Sequence, residues 1–184
     1  MVALATVLAF GFANAQVGVQ AGYSSSKATS DGATSVSGFH VGPTYEMAIQ
    51  GPISLQYALL YNMYFSKADA TVGSGSTKTG AVVNGTSHQI DIPVRLAATF
   101  PLASGISAYV FGGPNFNIGV AANTSTKIYL AGVASDPVKA NLYDDDNLSR
   151  FNLQLGVGAG LKYNNMGVKF SYDWGMLDMY KSDA

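Results

Sequence analysis

The chain has 184 residues, of which 11% are charged and 11% aromatic, with a net charge of −1 and no cysteine. Soluble domains usually carry about 25% charged residues, so this composition is unusual for one. The near-neutral charge gives no electrostatic support for a nucleic-acid partner, and the lack of cysteine excludes disulfides, thiol catalysis and cysteine metal sites within the chain. The length suits one domain with a full core or a small barrel.

An apolar run opens the chain at residues 2–12 and ends in a small-x-small cleavage pattern at residues 13–15. We therefore predict a signal peptide over residues 1–15 and a β-barrel domain over residues 16–184. No lysine or arginine precedes the apolar run, as a signal peptide normally has. The alternative interpretation is a buried strand at the N-terminus.

Seven stretches of the mature chain alternate apolar with small or polar side chains, a period of two that predicts β-strands. They are residues 16–24, 36–48, 53–65, 87–100, 106–120, 148–163 and 167–177. Thirteen residues, as in 53–65, is long for a soluble strand but suits one that crosses a bilayer at a tilt. Within the fifth stretch, Gly112, Gly113 and Pro114 indicate a bulge that shifts the register.

The connections between these strands alternate in length. Long polar loops are predicted at residues 25–35, 66–86 and 121–147, whereas the other three connections are tight turns. Outer-membrane barrels have short periplasmic turns and longer extracellular loops. We predict an all-β, antiparallel, up-and-down transmembrane β-barrel with the mature N-terminus in the periplasm.

The wide apolar face carries aromatic residues near the strand ends, as in the girdles of membrane barrels. The predicted girdle consists of Tyr23, Phe39, Tyr45, Phe65, Phe100, Phe151, Tyr163 and Trp174. A soluble lipocalin-like barrel also has alternating strands, but its outer face must be polar enough for water. The aromatic pattern favours the membrane barrel, with its apolar face toward lipid.

Charged residues of the strands fall on the polar face, three acidic and three basic. The predicted lumen charge network is Glu46, Asp91, Arg95, Lys162, Lys169 and Asp173. A buried network of this kind must be nearly fully paired to be tolerated. Together with Tyr64, Tyr109 and Phe111 it predicts a plugged polar lumen. Gly156, Gly158 and Gly160 lie two residues apart on the same face, where they make room for bulky neighbours.

Bacterial barrels of a single chain have an even number of strands, and an open edge in hydrocarbon leaves backbone groups unsatisfied. The residues after 177 read as the start of another loop. We therefore expect eight strands in the native protein, seven of them visible here, with a gap between the strands at residues 16–24 and 167–177 and a closing strand truncated from the C-terminus.

Four short segments, at residues 54–61, 90–94, 109–114 and 170–175, resemble the outer-membrane β-barrel domain family common in Bacteroidetes. This group includes the PorT-like proteins and is related in shape to OmpX. The resemblance runs over residues 16–179 and implies an eight-stranded barrel in the bacterial outer membrane. Some members resemble components of protein secretion and others adhesins or structural proteins, and they share no catalytic motif that carries over.

The histidines are the obvious candidates for catalysis. His40 lies on the lumen face with Ser24 nearby, and His88 lies on the lipid face beside Ser87. A lipase-like site would need a serine, a histidine and a carboxylate, and no acid is convincingly placed beside His88. We predict that the protein is not an enzyme and holds no cofactor.

An acidic cluster at residues 143–147 is read as a solvated loop tip rather than a Ca²⁺ site, because no glycine-containing loop motif accompanies it. No metal is therefore predicted, and the predicted partners are outer-membrane lipid, lipopolysaccharide and an extracellular or secretion-machinery protein. The expected work is adhesion, a structural role or a secretion-associated role through extracellular loops. The alternatives are a narrow-pore transporter and a soluble lipocalin-like ligand binder.

Overall fold

The computed structural model of the chain describes residues 2–11, 17–27, 35–141 and 149–177, and for residues 2–11 it describes the backbone alone. Its strands are β1 (Val2–Gly11), β2 (Val17–Lys27), β3 (Val36–Gln50), β4 (Ile53–Ala58), β5 (Leu60–Val72), β6 (Thr79–Ala103), β7 (Ile106–Leu130), β8 (Val133–Ala134), β9 (Val138–Asn141), β10 (Phe151–Tyr163) and β11 (Met166–Gly175). A short 3₁₀ helix covers Gly75–Thr77. Among these residues, no helix has the length and apolar character needed to cross a bilayer.

The strands form one closed antiparallel barrel. Each barrel strand pairs with the next barrel strand along the chain, with β10 pairing directly with β7, and β1 pairs with both β2 and β11, which closes the barrel. The strands β4 and β5 act as one barrel strand interrupted at Leu59, whose backbone N–H donates to the carbonyl of Pro43 at 3.0 Å. Counted in this way, eight strands close the barrel, which confirms the predicted fold class.

The expected gap beside β11 is wrong, because β1 fills it. The register places Leu8 opposite Ala21 on one side and Val168 on the other. The run that resembles a signal sequence also alternates larger and smaller residues, and its backbone groups complete the hydrogen-bond ladders of both neighbours. The signal peptide over residues 1–15 stays a prediction. Cleavage after Ala15 would remove β1 and leave its place between β2 and β11 open to another strand.

The barrel is apolar outside and polar inside. Large apolar side chains of the barrel strands are exposed on the outer surface, while polar side chains fill the interior. This distribution is that of a membrane barrel, whose outer face meets lipid and whose lumen is polar. The lipocalin-like alternative, in which the apolar face points inward, is therefore wrong.

The two ends of the barrel differ. At the end that we call the turn end, β3 meets β4 at Gly51 and Pro52, β6 meets β7 at Ser104 and Gly105, and β10 meets β11 at another two-residue turn. At the opposite end, called the hairpin end, β5, β6 and β7 continue far past their other neighbours. The strands β6 and β7 each have 25 residues, whereas about 9–11 residues suffice to cross a bilayer.

The prediction of long loops at residues 66–86 and 121–147 is wrong for most of both segments. Residues 66–72 pair with residues 79–85, and residues 80–85 pair in turn with residues 124–129. Serine, threonine and glycine made these segments resemble loops, but the backbone groups of both continue the barrel ladders. Of the predicted loop at 25–35, the first residues belong to β2, and 28–34 lie outside the described part of the chain.

The bulge expected at Gly112, Gly113 and Pro114 is also wrong. The β6–β7 register is the same on both sides of this segment, because Pro93 faces Asn115 and Leu96 faces Gly112. Gly113 has a φ of +152°, and this backbone conformation interrupts the pairing without inserting a residue. The register shifts instead where His88 faces Ala121 and Gln89 faces Gly119.

Candidate functional site: the polar lumen and the projecting sheet

Polar side chains from seven of the eight barrel strands converge in the lumen, all except those of β1, whose side chains lie outside the described part of the chain. The buried polar residues are Gln20, Ser24, Ser26, His40, Ser54, Asn62, Gln89, Arg95, Asn115, Asn117, Asn152, Gln154 and Asp173. They sit at alternate positions of their strands, which is why each points inward. Many are paired across strands: Asn115 donates to Gln154 at 2.9 Å and Asn117 donates to Gln89 at 2.8 Å.

Arg95 stands at the centre of this lumen. Its guanidinium forms an ion pair with Asp173 and donates to the carbonyl oxygens of Gly113 and Gly156. Arg95 is 5% exposed and Asp173 is 7% exposed, so both charges are removed from bulk water. Arginine suits such a position because its planar fork can serve several acceptors at once.

A second ion pair lies nearer the turn end. Lys162 Nζ lies 2.6 Å from Glu46 Oε2, and Ser54 donates to the same carboxylate at 2.8 Å. The side chains of Lys162 and Glu46 are 29% and 34% exposed. Water therefore screens this pair more than the central one.

The other two predicted network residues are not brought into an ion pair with any described residue. Asp91 accepts a hydrogen bond from the amide of Asn117. The Lys169 ammonium lies 5.5 Å from the centre of the Phe111 ring. The six charges thus lie in one lumen, but they form two pairs and two separately partnered groups.

Aromatic rings fill the space between the charges. Tyr64, Tyr109 and Phe111 are each 5–6% exposed, and the last two stack with ring centres 5.8 Å apart. Arg95 and Lys169 line two small cavities of about 80 and 60 Å³. Spaces of this size hold a few water molecules. Among the described residues, charged and aromatic side chains therefore fill much of the centre of the lumen.

The lumen glycines make room for these rings, as the sequence predicted. A Cβ added to Gly158 would meet the Phe111 ring, and one added to Gly160 would lie 2.5–2.6 Å from atoms of the Tyr109 ring. A Cβ added to Gly156 would meet Asp173 and Arg95. Small residues on β10 are therefore a condition for the aromatic plug.

Replacing Gly158 or Gly160 by alanine is expected to lower the free energy of unfolding by about 1–3 kcal/mol, because the added methyl group overpacks the lumen. Urea titration of the refolded barrel measures the change. The matched control is Gly112→Ala on the adjacent strand, where a Cβ would meet its nearest neighbours at an ordinary 3.5 Å. Equal losses in all three variants would contradict a specific role for the lumen glycines.

The two histidines lie on opposite faces of the wall. His40 is 4% exposed in the lumen, with Gln20 Nε2 3.2 Å from its Nε2 and Ser24 Oγ 2.7 Å from its Nδ1. One ring nitrogen of neutral His40 donates and the other accepts, so the tautomer sets the direction of both contacts. His88 faces outward, and its Nδ1 lies 2.6 Å from the hydroxyl of Tyr61.

All eight residues of the predicted aromatic girdle are 40–64% exposed on the outer surface. The strand registers place three of them toward the turn end, namely Tyr45, Phe100 and Tyr163. The other five lie toward the hairpin end, namely Tyr23, Phe39, Phe65, Phe151 and Trp174. The two groups bracket the apolar band of the barrel.

A small sheet, called here the projecting sheet, lies beyond the aromatic group at the hairpin end. It comprises residues 66–72, 79–86, 122–130, 133–134 and 138–141. Its inner face continues the lumen face of the barrel wall and carries large apolar side chains in solvent. These are Val72 at 73% exposure, Ile128 at 46%, Leu130 at 66%, Val133 at 72% and Val138 at 67%.

Sequence reasoning missed this inner face because it assigned both segments to loops. The signal was present: Ala68, Ala70 and Val72 alternate with Lys67, Asp69 and Thr71, which share the outer face. The side chains that pair across from them, Val83 and Ala81, are also apolar or small. Short polar residues between them hid a period of two.

No group of three or more histidine, cysteine or acidic side chains that could hold a metal ion occurs among the residues that the structure describes. The acidic cluster at residues 143–147 lies outside them.

Comparison with protein families shows a match to the model of the outer membrane protein beta-barrel domain over residues 4–181. Comparisons with curated proteins and with solved structures gave no match. The matched range covers nearly the whole chain, and the closed barrel with its apolar outer surface and polar lumen is the architecture that this description names. The chain belongs to the outer membrane protein beta-barrel domain family.

Proposed function

We propose that this outer-membrane barrel is a membrane anchor that presents the projecting sheet to an extracellular protein partner. The observation that carries the proposal is the apolar inner face of that sheet. Soluble surfaces rarely keep several large apolar side chains together in water, and such a patch commonly marks a contact with another protein. The partnership would serve adhesion, a structural role or secretion, as in the PorT-like and OmpX-like barrels that the sequence resembles.

The proposed orientation puts the hairpin end outside the cell and the turn end in the periplasm. Its support is the general asymmetry of outer-membrane barrels, which have short periplasmic turns and long extracellular connections.

The filling of the lumen by charged and aromatic side chains favours an anchor over the narrow-pore transporter, which is the competing proposal. A transporter needs a continuous hydrated path past Arg95, whereas Arg95, its partner Asp173 and the stacked rings separate two cavities of about 80 and 60 Å³. We also propose that the barrel has no enzymatic activity. The two ring nitrogens of His40 contact Gln20 and Ser24, so the imidazole is not oriented by a carboxylate as a Ser–His–Asp triad requires.

The natural lack of cysteine makes the orientation easy to test with single introduced thiols. We expect Ser76→Cys, at the tip of the β5–β6 hairpin, to react with a membrane-impermeant maleimide on intact cells. Ser104→Cys, in the β6–β7 turn, is the matched control and should react only after the cells are lysed. Labelling of Ser104→Cys alone on intact cells would overturn the orientation.

The partner surface is tested by photo-crosslinking from neighbouring residues on opposite faces of β7. A probe at Thr126 shares the inner face with Ile128, whereas a probe at Ser125 points outward. We expect a protein adduct from Thr126 on intact cells of the native host and a loss of at least tenfold in the variant Ile128→Asn/Leu130→Asn. Tyr129→Asn, on the outer face, should leave the adduct unchanged. Equal adducts from both probes would contradict the proposal.

A further inference from the structure

The smaller lumen cavity, of about 60 Å³, is lined by oxygen atoms that have no hydrogen-bond partner among the described residues. These atoms are Gln20 Oε1, Ser26 Oγ and Asn115 Oδ1, and their residues are between 2% and 4% exposed. A buried oxygen that is removed from bulk water is costly unless it meets a hydrogen-bond donor or a cation. The cavity therefore favours a ligand that can satisfy several oxygen atoms at once.

Asp91 contributes a carboxylate to the same cavity. It accepts a hydrogen bond from Asn117, which it faces on β7, and it forms no ion pair with any described residue. The other carboxylate of the cavity, Asp173, is already paired with Arg95. A carboxylate inside a membrane protein is costly without a neighbouring positive charge, and such a residue is by default a candidate for a functional site. The unpaired charge of Asp91 therefore points to a cationic ligand.

Lys169 also lines this cavity, but its ammonium group lies toward the turn end. Lys169 is four residues nearer that end than Asp173 on β11, and its ammonium lies 5.5 Å from the centre of the Phe111 ring. Phe111 is in turn four residues nearer the turn end than Asn115 on β7. Four residues of a strand span about 13 Å. Lys169 therefore weakens the attraction of the cavity for a cation without taking the position beside Asp91.

We infer that the cavity binds one alkali-metal cation, Na⁺ or K⁺, through the carboxylate of Asp91, Asn115 Oδ1 and Gln20 Oε1. Carboxylate and amide carbonyl oxygens are the ligands that hard cations take in proteins. One unpaired carboxylate matches a single positive charge, which favours a monovalent over a divalent ion. A cavity of this size has room for one such ion and a few water molecules. The site is independent of the proposed partner and orientation.

The test refolds the chain in detergent with NaCl, KCl or choline chloride at equal concentration and measures unfolding by urea titration. Choline keeps the ionic strength but is too large for the cavity. We expect the unfolding equilibrium constant to fall about tenfold once Na⁺ or K⁺ reaches ten times its Kd. Asp91→Asn and Asn115→Leu should each lose this dependence, and Lys169→Met should strengthen it. The control Asp69→Asn removes an exposed carboxylate of the projecting sheet and should retain it.

Equal stability in all three salts would overturn the inference and indicate that water, or a proton on Asp91, satisfies the cavity. A dependence that persists in both Asp91→Asn and Asn115→Leu would place the ion elsewhere and also overturn it. A stronger effect of Ca²⁺ at equal ionic strength would overturn the choice of a monovalent ion. If neither variant folds, crystals of the unaltered chain grown with Tl⁺ decide the matter. An anomalous peak beside Asp91 and Asn115 is expected, and its absence would overturn the inference.

Discussion

Replacing Arg95 by alanine is expected to lower the free energy of unfolding by about 3–5 kcal/mol, because it leaves Asp173 buried without its partner. The carbonyl oxygens of Gly113 and Gly156 would also lose a donor. Urea titration in lipid vesicles would report the change through the single tryptophan, Trp174, which is 42% exposed on the outer wall.

The Lys162–Glu46 pair provides the matched comparison. Both of its side chains are about one third exposed, so Lys162→Ala should cost about 1 kcal/mol or less. The double variant Arg95→Ala/Asp173→Ala should recover part of the loss, since it removes the stranded charge. If Arg95→Ala and Lys162→Ala lowered the free energy of unfolding equally, the central ion pair would contribute no more to stability than the exposed one.

The variant Arg95→Ala also tests transport, because Arg95 lines both lumen cavities. We expect the unaltered barrel to be silent in planar bilayers and Arg95→Ala to show small conductance steps as the cavities join. Steady conductance by the unaltered barrel would contradict the proposed anchor and favour the narrow-pore transporter.

Removing β1 is expected to abolish the closed barrel. The strand completes the ladders of both β2 and β11, and without it each of these keeps a row of unpaired backbone groups. Such groups cost several kcal/mol each in hydrocarbon, so the effect far exceeds that of any side-chain substitution. Chains of residues 1–184 and 17–184 would be refolded in detergent, and their heated and unheated gel mobilities compared alongside far-UV circular dichroism.

We expect heat-modifiable migration for residues 1–184 and none for 17–184. The control removes residues 69–82 and joins Ala68 to Val83 by an Asn-Gly turn, which shortens the projecting sheet outside the barrel. This chain should remain heat-modifiable. If 17–184 formed a heat-modifiable barrel, closure would not need β1. If 1–184 also failed, β1 would not be the closing strand.

The barrel itself could be predicted because lipid and lumen impose a strict period of two on its strands. The alternation of the third predicted strand shows which of its faces meets lipid. One face carries Ile53, Leu55 and Tyr57, and the other carries Ser54, Gln56 and Ala58. The same period predicted that the six charged side chains face the lumen. It did not predict which of them form ion pairs, because pairing depends on the positions along the barrel axis of residues far apart in the chain. Arg95 and Asp173, for instance, meet across the lumen from β6 and β11.

The projecting sheet could not be predicted in the same way, since neither lipid nor lumen fixes the pattern of its residues. Ser66, Lys67 and Thr71 are as common in loops as on a solvated strand. The strands extend there because β5, β6 and β7 hydrogen-bond to one another beyond the barrel, and this pairing can be recognised only when the register is known. The N-terminal run shows a related ambiguity, because an apolar stretch of about ten residues suits both a signal sequence and a strand at the lipid face.

The two-residue turn at Ser104 and Gly105 bears on the order in which the barrel forms. Gly105 adopts a φ of +74°, which suits a tight reversal, and the longest ladder of the molecule begins directly beside it. Residues close in sequence meet quickly, whereas pairs such as Val2 and Trp174 must search across the whole chain. We expect the β6–β7 hairpin to form first, from its turn outward, and the pairing of β1 with β11 to form last. Until β1 and β11 pair, their edges can hydrogen-bond to strands of other chains, so barrel closure and aggregation compete for the same backbone groups.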